Sequence, residues 1–118
     1  CIGTLQQPMS TQQFMSLINI QLQRPPLSVA RPEQNISRIA WCSGGAQSYF
    51  NDACDLGVDA YLTGEISEAV VHTARESGVA FIAAGHHATE RYGIQALGEH
   101  LATQFGLSHQ HIDIDSPA

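Results

Sequence analysis

The sequence contains no lysine and few charged residues of any kind. Only 14% of its 118 residues are charged, and its five basic residues are all arginines, scattered along the chain. The formal net charge is −6. A protein that grips a phosphate backbone by charge carries a basic stripe. The composition therefore argues against nucleic acid as a partner of this segment.

Long hydrophobic runs are also absent. A membrane-spanning helix needs about 20 consecutive apolar residues, and no stretch of the sequence approaches that length. We expect no membrane partner and a cytoplasmic location. The sequence begins with Cys1 rather than Met and enters structure after only a short lead-in. We therefore expect it to be part of a longer chain.

Cysteine is scarce, with three residues in the whole sequence. Cys42 follows an apolar strand pattern, and Cys54 lies in an apolar helix pattern. These positions predict buried free thiols rather than a disulfide or a thiolate metal site.

The apolar runs and glycines that are present predict an α/β fold. Three β-prone runs, 36–42, 59–63 and 79–84, are each followed by a glycine-containing turn and then by a helical pattern. Such alternation favours strand-helix repeats on a mostly parallel sheet. The run 79–84 is apolar throughout, which predicts a central strand that is buried on both faces.

The flanking segments carry their own signals. Ser10 and Gln13 predict a capping box for a first helix, which Pro25 and Pro26 would stop. A last helix is predicted from about Thr89 to Phe105, with an inward apolar face formed by Ile94, Leu97, Leu101 and Phe105. Residues 109–115 alternate polar with apolar side chains and predict a half-exposed closing strand.

The most informative short segment is Gly85-His86-His87-Ala88-Thr89-Glu90, which follows the third strand directly. On a helix, residues four positions apart share a face, so His86 and Glu90 can reach one point and bind a metal ion. The alternative is a polar helix start in which Thr89 or His87 caps the backbone and Glu90 only favours the helix dipole. His72 and Glu76 have the same spacing, so the position at a strand end must distinguish the two pairs.

Two other turns also follow predicted strands. Because ligands gather at the carboxyl ends of strands in α/β sheets, Ser43-Gly44-Gly45 and Thr63-Gly64-Glu65 should lie close to His86. Glu65 is a candidate general base or a supporting acid, although a carboxylate in a first helical turn is also ordinary dipole chemistry. The Ser43-Gly44-Gly45 turn is a weak candidate for a phosphate cradle.

Four segments together resemble a known family. They are Ile39-Ala40-Trp41-Cys42-Ser43-Gly44-Gly45, Val58-Asp59-Ala60-Tyr61-Leu62-Thr63-Gly64-Glu65, Ala84-Gly85-His86-His87-Ala88-Thr89-Glu90-Arg91 and His111-Ile112-Asp113-Ile114. In this order they resemble the carboxyl-terminal half of the GTP cyclohydrolase 1 type 2 homologues, in their short bacterial branch. Residues 36–118 would then be an α/β half-domain that carries part of a metal site. Residues 1–35 would be a segment with one helix that links the two halves.

The resemblance implies a duplicated two-domain α/β architecture, a hexameric ring and two divalent metal ions for each complete subunit. Fe, Zn, Mn and Ni all suit imidazole and carboxylate ligands. His86 and Glu90 occupy the places of two metal ligands, and the others would come from the amino-terminal half of the same chain. Many members have Thr-Gly-Asp where this sequence has Thr63-Gly64-Glu65, which leaves the role of Glu65 open.

Two functions follow as hypotheses. The first is a metal-dependent hydrolase that acts on a nucleotide or a related ring, with Glu65 or His87 carrying protons. The second is a metal-stabilised ring that acts as a scaffold or protein-interaction module without catalysis. Nothing in the sequence identifies a particular small-molecule substrate.

Overall fold

A computed structural model describes residues 1–114 and 116. Within this part of the chain, five strands form one sheet with four α-helices around it. The strands are β1 (Ile2–Ser10), β2 (Leu27–Val29), β3 (Asn35–Trp41), β4 (Ala60–Thr63) and β5 (Ala80–Ala83). The helices are α1 (Thr11–Leu22), α2 (Phe50–Asp55), α3 (Glu68–Ser77) and α4 (His86–Phe105). None of these helices is both long enough and apolar enough to cross a membrane.

The strand order in the sheet is β1-β3-β4-β5-β2. The three central strands β3, β4 and β5 are parallel, whereas β1 and β2 pair antiparallel to the strands beside them. Parallel neighbours need a crossover connection, which α2 and α3 provide. The predicted α/β class is confirmed, and its parallel part is the centre of the sheet.

Strand β5 lies between β4 and β2, and all four of its residues are buried. Phe81 packs into a core on the face covered by α2 and α3, where its ring meets Phe50 edge-on at 5.0 Å between centroids. Ile82 packs into a second core on the opposite face, with Phe14 and Ile18 of α1. The strand is apolar at every position because both faces of the sheet are covered, as the sequence predicts.

Helix α1 begins with the predicted capping box. The Gln13 amide donates to Ser10 Oγ at 3.2 Å, and the Ser10 amide donates to Gln13 Oε1 at 2.9 Å. The helix ends at Leu22, before the two prolines, and Gln23 takes a left-handed conformation with φ of 54°. Proline cannot continue a helix, and the predicted stop is confirmed.

Residues 1–35 are more than a linking segment with one helix. They also supply β1, which pairs with β3 at one edge of the sheet, and β2, which pairs with β5 at the other edge. The β1 sequence contains Gly3 and Pro8, which are rare inside strands, and the pairing register shifts between Thr4 and Met9. An edge strand tolerates such residues at an irregularity, so the sequence pattern alone conceals the strand.

The prediction that the apolar face of α4 is buried is wrong for the described part of the chain. Ile94 is 60% exposed and Phe105 is 66% exposed, and Leu97 and Leu101 are also exposed. Only Ala88 is buried among the helix residues. The periodicity identifies an apolar stripe, but the stripe has no partner among residues 1–114 and 116.

The predicted closing strand is also wrong, although Asp115 lies outside the described residues. Residues 109–114 have no regular secondary structure. Gln95 of α4 lies 3.0 Å from His111 Nδ1, and Asp113 contacts the first turns of α4, whereas Ile112 and Ile114 are exposed. The polar side chains of the alternating pattern thus face the helix. The backbone does not pair with any of the described strands.

All three cysteines are free thiols, but they are less buried than predicted. Cys1 and Cys42 are exposed, and Cys54 is partly buried. Cys42 lies directly after β3, at the start of the turn that contains Gly44 and Gly45.

Candidate metal-binding site

Three turns meet at the carboxyl ends of the parallel strands. The Gly64 amide donates to the Gly44 carbonyl at 2.8 Å, and the Gly85 amide donates to the Gly64 carbonyl at 2.9 Å. A Cβ atom on Gly64 would lie 2.7 Å from both the Gly44 carbonyl oxygen and His86 Cα. This backbone contact requires glycine at position 64. The convergence that the sequence predicts for these turns is present.

His86 is the first residue of α4, so the helix begins three residues before the predicted start. Gly85 before it has φ of 96°, a conformation that side chains disfavour. Thr89 closes the first turn, because its Oγ1 donates to the Gly85 carbonyl at 2.9 Å and accepts from the Gly44 amide at 2.9 Å. Thr89, which the sequence offered only as a possible cap of the helix start, thereby joins the start of α4 to the turn after β3.

The side chains of His86, Glu90 and Glu65 form one cluster. His86 Nε2 lies 3.1 Å from Glu90 Oε2, and His86 Nδ1 lies 2.6 Å from Glu65 Oε1. The hydrogen bond that His86 donates to Glu65, followed by the charge of Glu90, raises the pKa of His86. The same bond from His86 lowers the pKa of Glu65. The His86 side chain is 40% exposed and the Glu90 side chain 52% exposed, so both are accessible from solvent.

Two of these side chains, His86 and Glu90, pack directly against Gly44. Its φ is 70°, and a Cβ atom there would contact Glu90 Oε1, lie 3.0 Å from Glu90 Cδ and approach His86 Nε2 to 3.2 Å. A side chain at position 44 would therefore fill the point on which both donor groups converge. Glycine at position 44 therefore allows the Glu90 carboxylate and His86 Nε2 to approach each other beside the turn.

Two backbone amides of the same turn are already used within the protein, which argues against the phosphate cradle that the sequence suggested. The Gly44 amide donates to Thr89 Oγ1, and the Ala46 amide donates to Thr63 Oγ1 at 3.2 Å. Backbone amides that are already used in this way cannot bind an anion. The helix that follows the turn, α2, is only six residues long.

His87 lies outside the cluster, although it neighbours His86 in sequence. Its Nε2 is 2.8 Å from Asp113 Oδ1, and Arg91 Nη1 donates to Asp113 Oδ2 at 3.0 Å. The bond to His87, together with the charge of Arg91, lowers the pKa of Asp113. His87 thus joins the carboxyl-terminal segment to α4. Asp113 is a partner that sequence reasoning missed.

The donor set matches part of a metal site. Imidazole and carboxylate are ligands that catalytic zinc, iron and manganese ions accept, and His86 Nε2 and Glu90 Oε2 converge to 3.1 Å beside Gly44. Yet among residues 1–114 and 116 no group of three or more His, Cys, Asp or Glu side chains is arranged to hold a metal ion. Glu65 does not supply the third donor, because it contacts the opposite nitrogen of the His86 ring.

Replacing Gly44 with Ala is expected to weaken metal binding by about tenfold or more, a loss typical of disturbed support around a ligand. The new methyl group would displace the Glu90 carboxylate and approach His86 Nε2. Gly57→Ala is the matched control, because Gly57 has φ of 66° but nothing within 4 Å of the added Cβ. Both variants should lose about 1–2 kcal/mol of stability through backbone strain. Equal metal affinity in the two variants would contradict this account of Gly44.

The sequence matches a described family along nearly its full length. The sequence signature of the family Duf34/NIF3 (NGG1p interacting factor 3) matches residues 1–117. The chain is 54% identical over 117 residues to a protein of Allochromatium vinosum named GTP cyclohydrolase 1 type 2 homolog, covering 99% of this chain and 46% of that protein. It is 55% identical over 117 residues to the protein of the same name from Pseudomonas aeruginosa, with the same coverage.

Solved structures show the same fold. A protein named ybgI, described as being of unknown function, superposes with a TM-score of 0.93 at 45% sequence identity, covering 99% of this chain and 48% of that one. TTHA1606 from Thermus thermophilus superposes with a TM-score of 0.84 at 25% identity, covering 96% of this chain and 45% of that one. The chain thus spans about half the length of the relatives that it matches.

Proposed function

Because the chain belongs to the Duf34/NIF3 family, we propose that it supplies His86 and Glu90 as ligands to a divalent metal centre. The observation that carries the proposal is the convergence of His86 Nε2 and Glu90 Oε2, 3.1 Å apart, beside Gly44, where a side chain would displace the Glu90 carboxylate. The position of the pair at a strand end also supports it, since α/β sheets bind ligands at that edge.

The remaining ligands belong, in this proposal, to the amino-terminal half of a longer chain. A catalytic ion takes at least three protein groups, and the described residues offer two on one side of a shallow, exposed surface. The match to only about half of each relative supports a second half of similar size. Two divalent ions would then lie at the junction of the halves, with Fe, Zn, Mn and Ni as candidates.

The activity we propose is metal-dependent hydrolysis of a nucleotide or a related ring. A bound divalent cation supplies Lewis acidity and lowers the pKa of its water ligand. This chain's own residues hold and orient that centre: His86 and Glu90 donate to it, Thr89 fixes the first turn of α4, and Glu65 contacts the far side of the imidazole. The substrate class rests on the name of the relatives, GTP cyclohydrolase 1 type 2 homolog.

A second candidate function rests on a different observation. The apolar stripe of α4 is exposed at Ile94, Leu97, Leu101 and Phe105, and Ile112 and Ile114 after the helix are exposed as well. Large exposed apolar patches mark interaction sites. We propose that this stripe packs against the amino-terminal half of a longer chain within a hexameric ring, so that the stripe supports an assembly role. If the ring has no hydrolytic activity, the metal would stabilise a scaffold for protein partners.

Calorimetric titration with Zn²⁺ or Mn²⁺ tests whether this chain supplies only part of the ligands of a metal site. The 118-residue chain by itself is expected to be folded and catalytically silent, and to bind either ion weakly, since water must fill most coordination positions. The full-length protein should bind tightly. Tight stoichiometric binding by the monomeric 118-residue chain would contradict the proposal, because the described residues would then form a complete site.

A panel of purine and pyrimidine nucleotides separates the two functions. Full-length, metal-loaded protein should release a hydrolysed product from at least one nucleotide, GTP being the first to test. His86→Ala should abolish that turnover. A metal-loaded ring that leaves every nucleotide of the panel unchanged would favour the scaffold.

A further inference from the structure

The two nitrogens of the His86 ring have different neighbours. Nδ1 lies 2.6 Å from Glu65 Oε1, whereas Nε2 faces Glu90 Oε2 at 3.1 Å and lies beside Gly44. An imidazole binds a metal through one nitrogen, and a hydrogen bond at the other sets which nitrogen is free to do so. The shorter contact is therefore on the side away from the proposed metal.

We infer that Glu65 is a positioning residue that holds the proton of His86 on Nδ1 and turns Nε2 toward the metal. This inference rests on the proposed function, because it assigns a role toward the ion that His86 and Glu90 would bind. It also revises the role of Glu65: a carboxylate that accepts the ring N–H supports a ligand, whereas the general base of a hydrolytic reaction needs its oxygen free for water or substrate.

The surroundings of Glu65 fit this role. Gln47 Nε2 donates to Glu65 Oε2 at 3.5 Å, so the second carboxylate oxygen has its own partner. A Cβ atom on Gly45 would lie 3.2 Å from Glu65 Cδ, which shows that the carboxylate rests against the glycine turn after β3. The tight approach of Gly64 to His86 Cα fixes the distance between the two backbones. Glu65 and His86 come from turns after adjacent strands, so the sheet itself sets their separation.

The test uses the full-length protein with Glu65→Ala, Glu65→Gln and the control Glu68→Ala. Glu68 is an exposed carboxylate three positions further along, at the start of α3. ¹⁵N-histidine NMR of the Zn²⁺-free and Zn²⁺-loaded protein reports whether the His86 proton is on Nδ1. A competition titration with a chromophoric chelator gives the Zn²⁺ affinity of each variant.

Glu65→Ala should lose the hydrogen-bonded Nδ1 proton signal and bind Zn²⁺ about 10–100-fold more weakly, the usual effect of removing such a partner. Glu65→Gln retains an acceptor oxygen and should keep the signal and most of the affinity. Glu68→Ala should match the wild type. An Nδ1 proton that stays hydrogen-bonded in Glu65→Ala with unchanged affinity would overturn the inference, as would equal losses in the Ala and Gln variants.

His86→Ala in the same titration separates the two proposals. If His86→Ala loses Zn²⁺ but Glu65→Ala does not, the metal-binding proposal is supported and the positioning role of Glu65 is contradicted. If His86→Ala binds Zn²⁺ as the wild type does, the metal proposal itself is contradicted.

Discussion

Replacing Ile82 with Asp is expected to abolish soluble expression of the chain. Ile82 is 0% exposed and lies in β5, between β4 and β2, with its side chain in the core beneath α1. An uncompensated buried charge costs about 3–5 kcal/mol, and the lost burial of the isoleucine side chain adds about 1.5–3 kcal/mol. Total domain stability is commonly only about 5–15 kcal/mol.

Ile20→Asp is the control for this experiment, because Ile20 lies on the outer side of α1 and is 69% exposed. That variant should express as the wild type does, since exposed substitutions usually change stability by about 0.5 kcal/mol or less. Soluble yield and circular dichroism compare the two variants. A folded, soluble Ile82→Asp protein would show that β5 is not a doubly buried strand.

The centre of the fold could be predicted because its signals are local. The capping box at Ser10, the apolar run before Gly85 and the glycine turns after each strand all lie within a few residues of the elements that they define. Parallel strands also require intervening helices, so repeated strand-helix units restrict the topology to very few arrangements. The structure confirms these elements with boundary changes of one to three residues, such as the start of α4 at His86.

The edges of the fold could not be predicted, because their stability comes from distant partners. Strand β1 contains Pro8 and several polar residues, and it is a strand only because β3 pairs with it. Tertiary context overrides weak strand propensity in this way. The apolar stripe on α4 was predicted to be buried but is exposed. The periodicity around Leu97 indicates that the stripe packs against another surface, but it does not indicate whether that surface belongs to residues 1–114 and 116.

The candidate site was predictable in outline only. The spacing of His86 and Glu90 and their position after β5 pointed to one shared ligand. The contact between Glu65 and His86 joins residues 21 positions apart, and nothing in the local pattern indicates which His86 nitrogen it meets. The close approach of His86 and Glu90 to Gly44 depends on the backbone conformation of the Ser43-Gly44-Gly45 turn. The sequence of that turn was equally compatible with a phosphate cradle.

The second large effect is expected from His86→Ala and Glu90→Ala in the full-length protein. Each change removes a donor atom from the point on which the two side chains converge. When one of a few protein ligands is removed, a water molecule takes its place on the ion, and the affinity of the protein for the metal falls steeply. Neither side chain is in the buried core, since both are more than a third exposed, so the fold should remain intact in both variants.

His72 and Glu76 provide the matched control pair. They have the same four-residue spacing on α3, both are exposed, and they lie within the helix rather than at a strand end. His72→Ala and Glu76→Ala therefore remove the same chemical groups without touching the cluster. Thermal melting monitored by circular dichroism should be similar for all four variants.

Metal content of the purified full-length proteins, measured by plasma emission spectrometry, tests the central claim most directly. We predict that His86→Ala and Glu90→Ala contain clearly less Fe, Zn, Mn or Ni per chain than the wild type, whereas His72→Ala and Glu76→Ala retain the wild-type content. Wild-type metal content in both His86→Ala and Glu90→Ala would contradict the claim that these residues bind the ion.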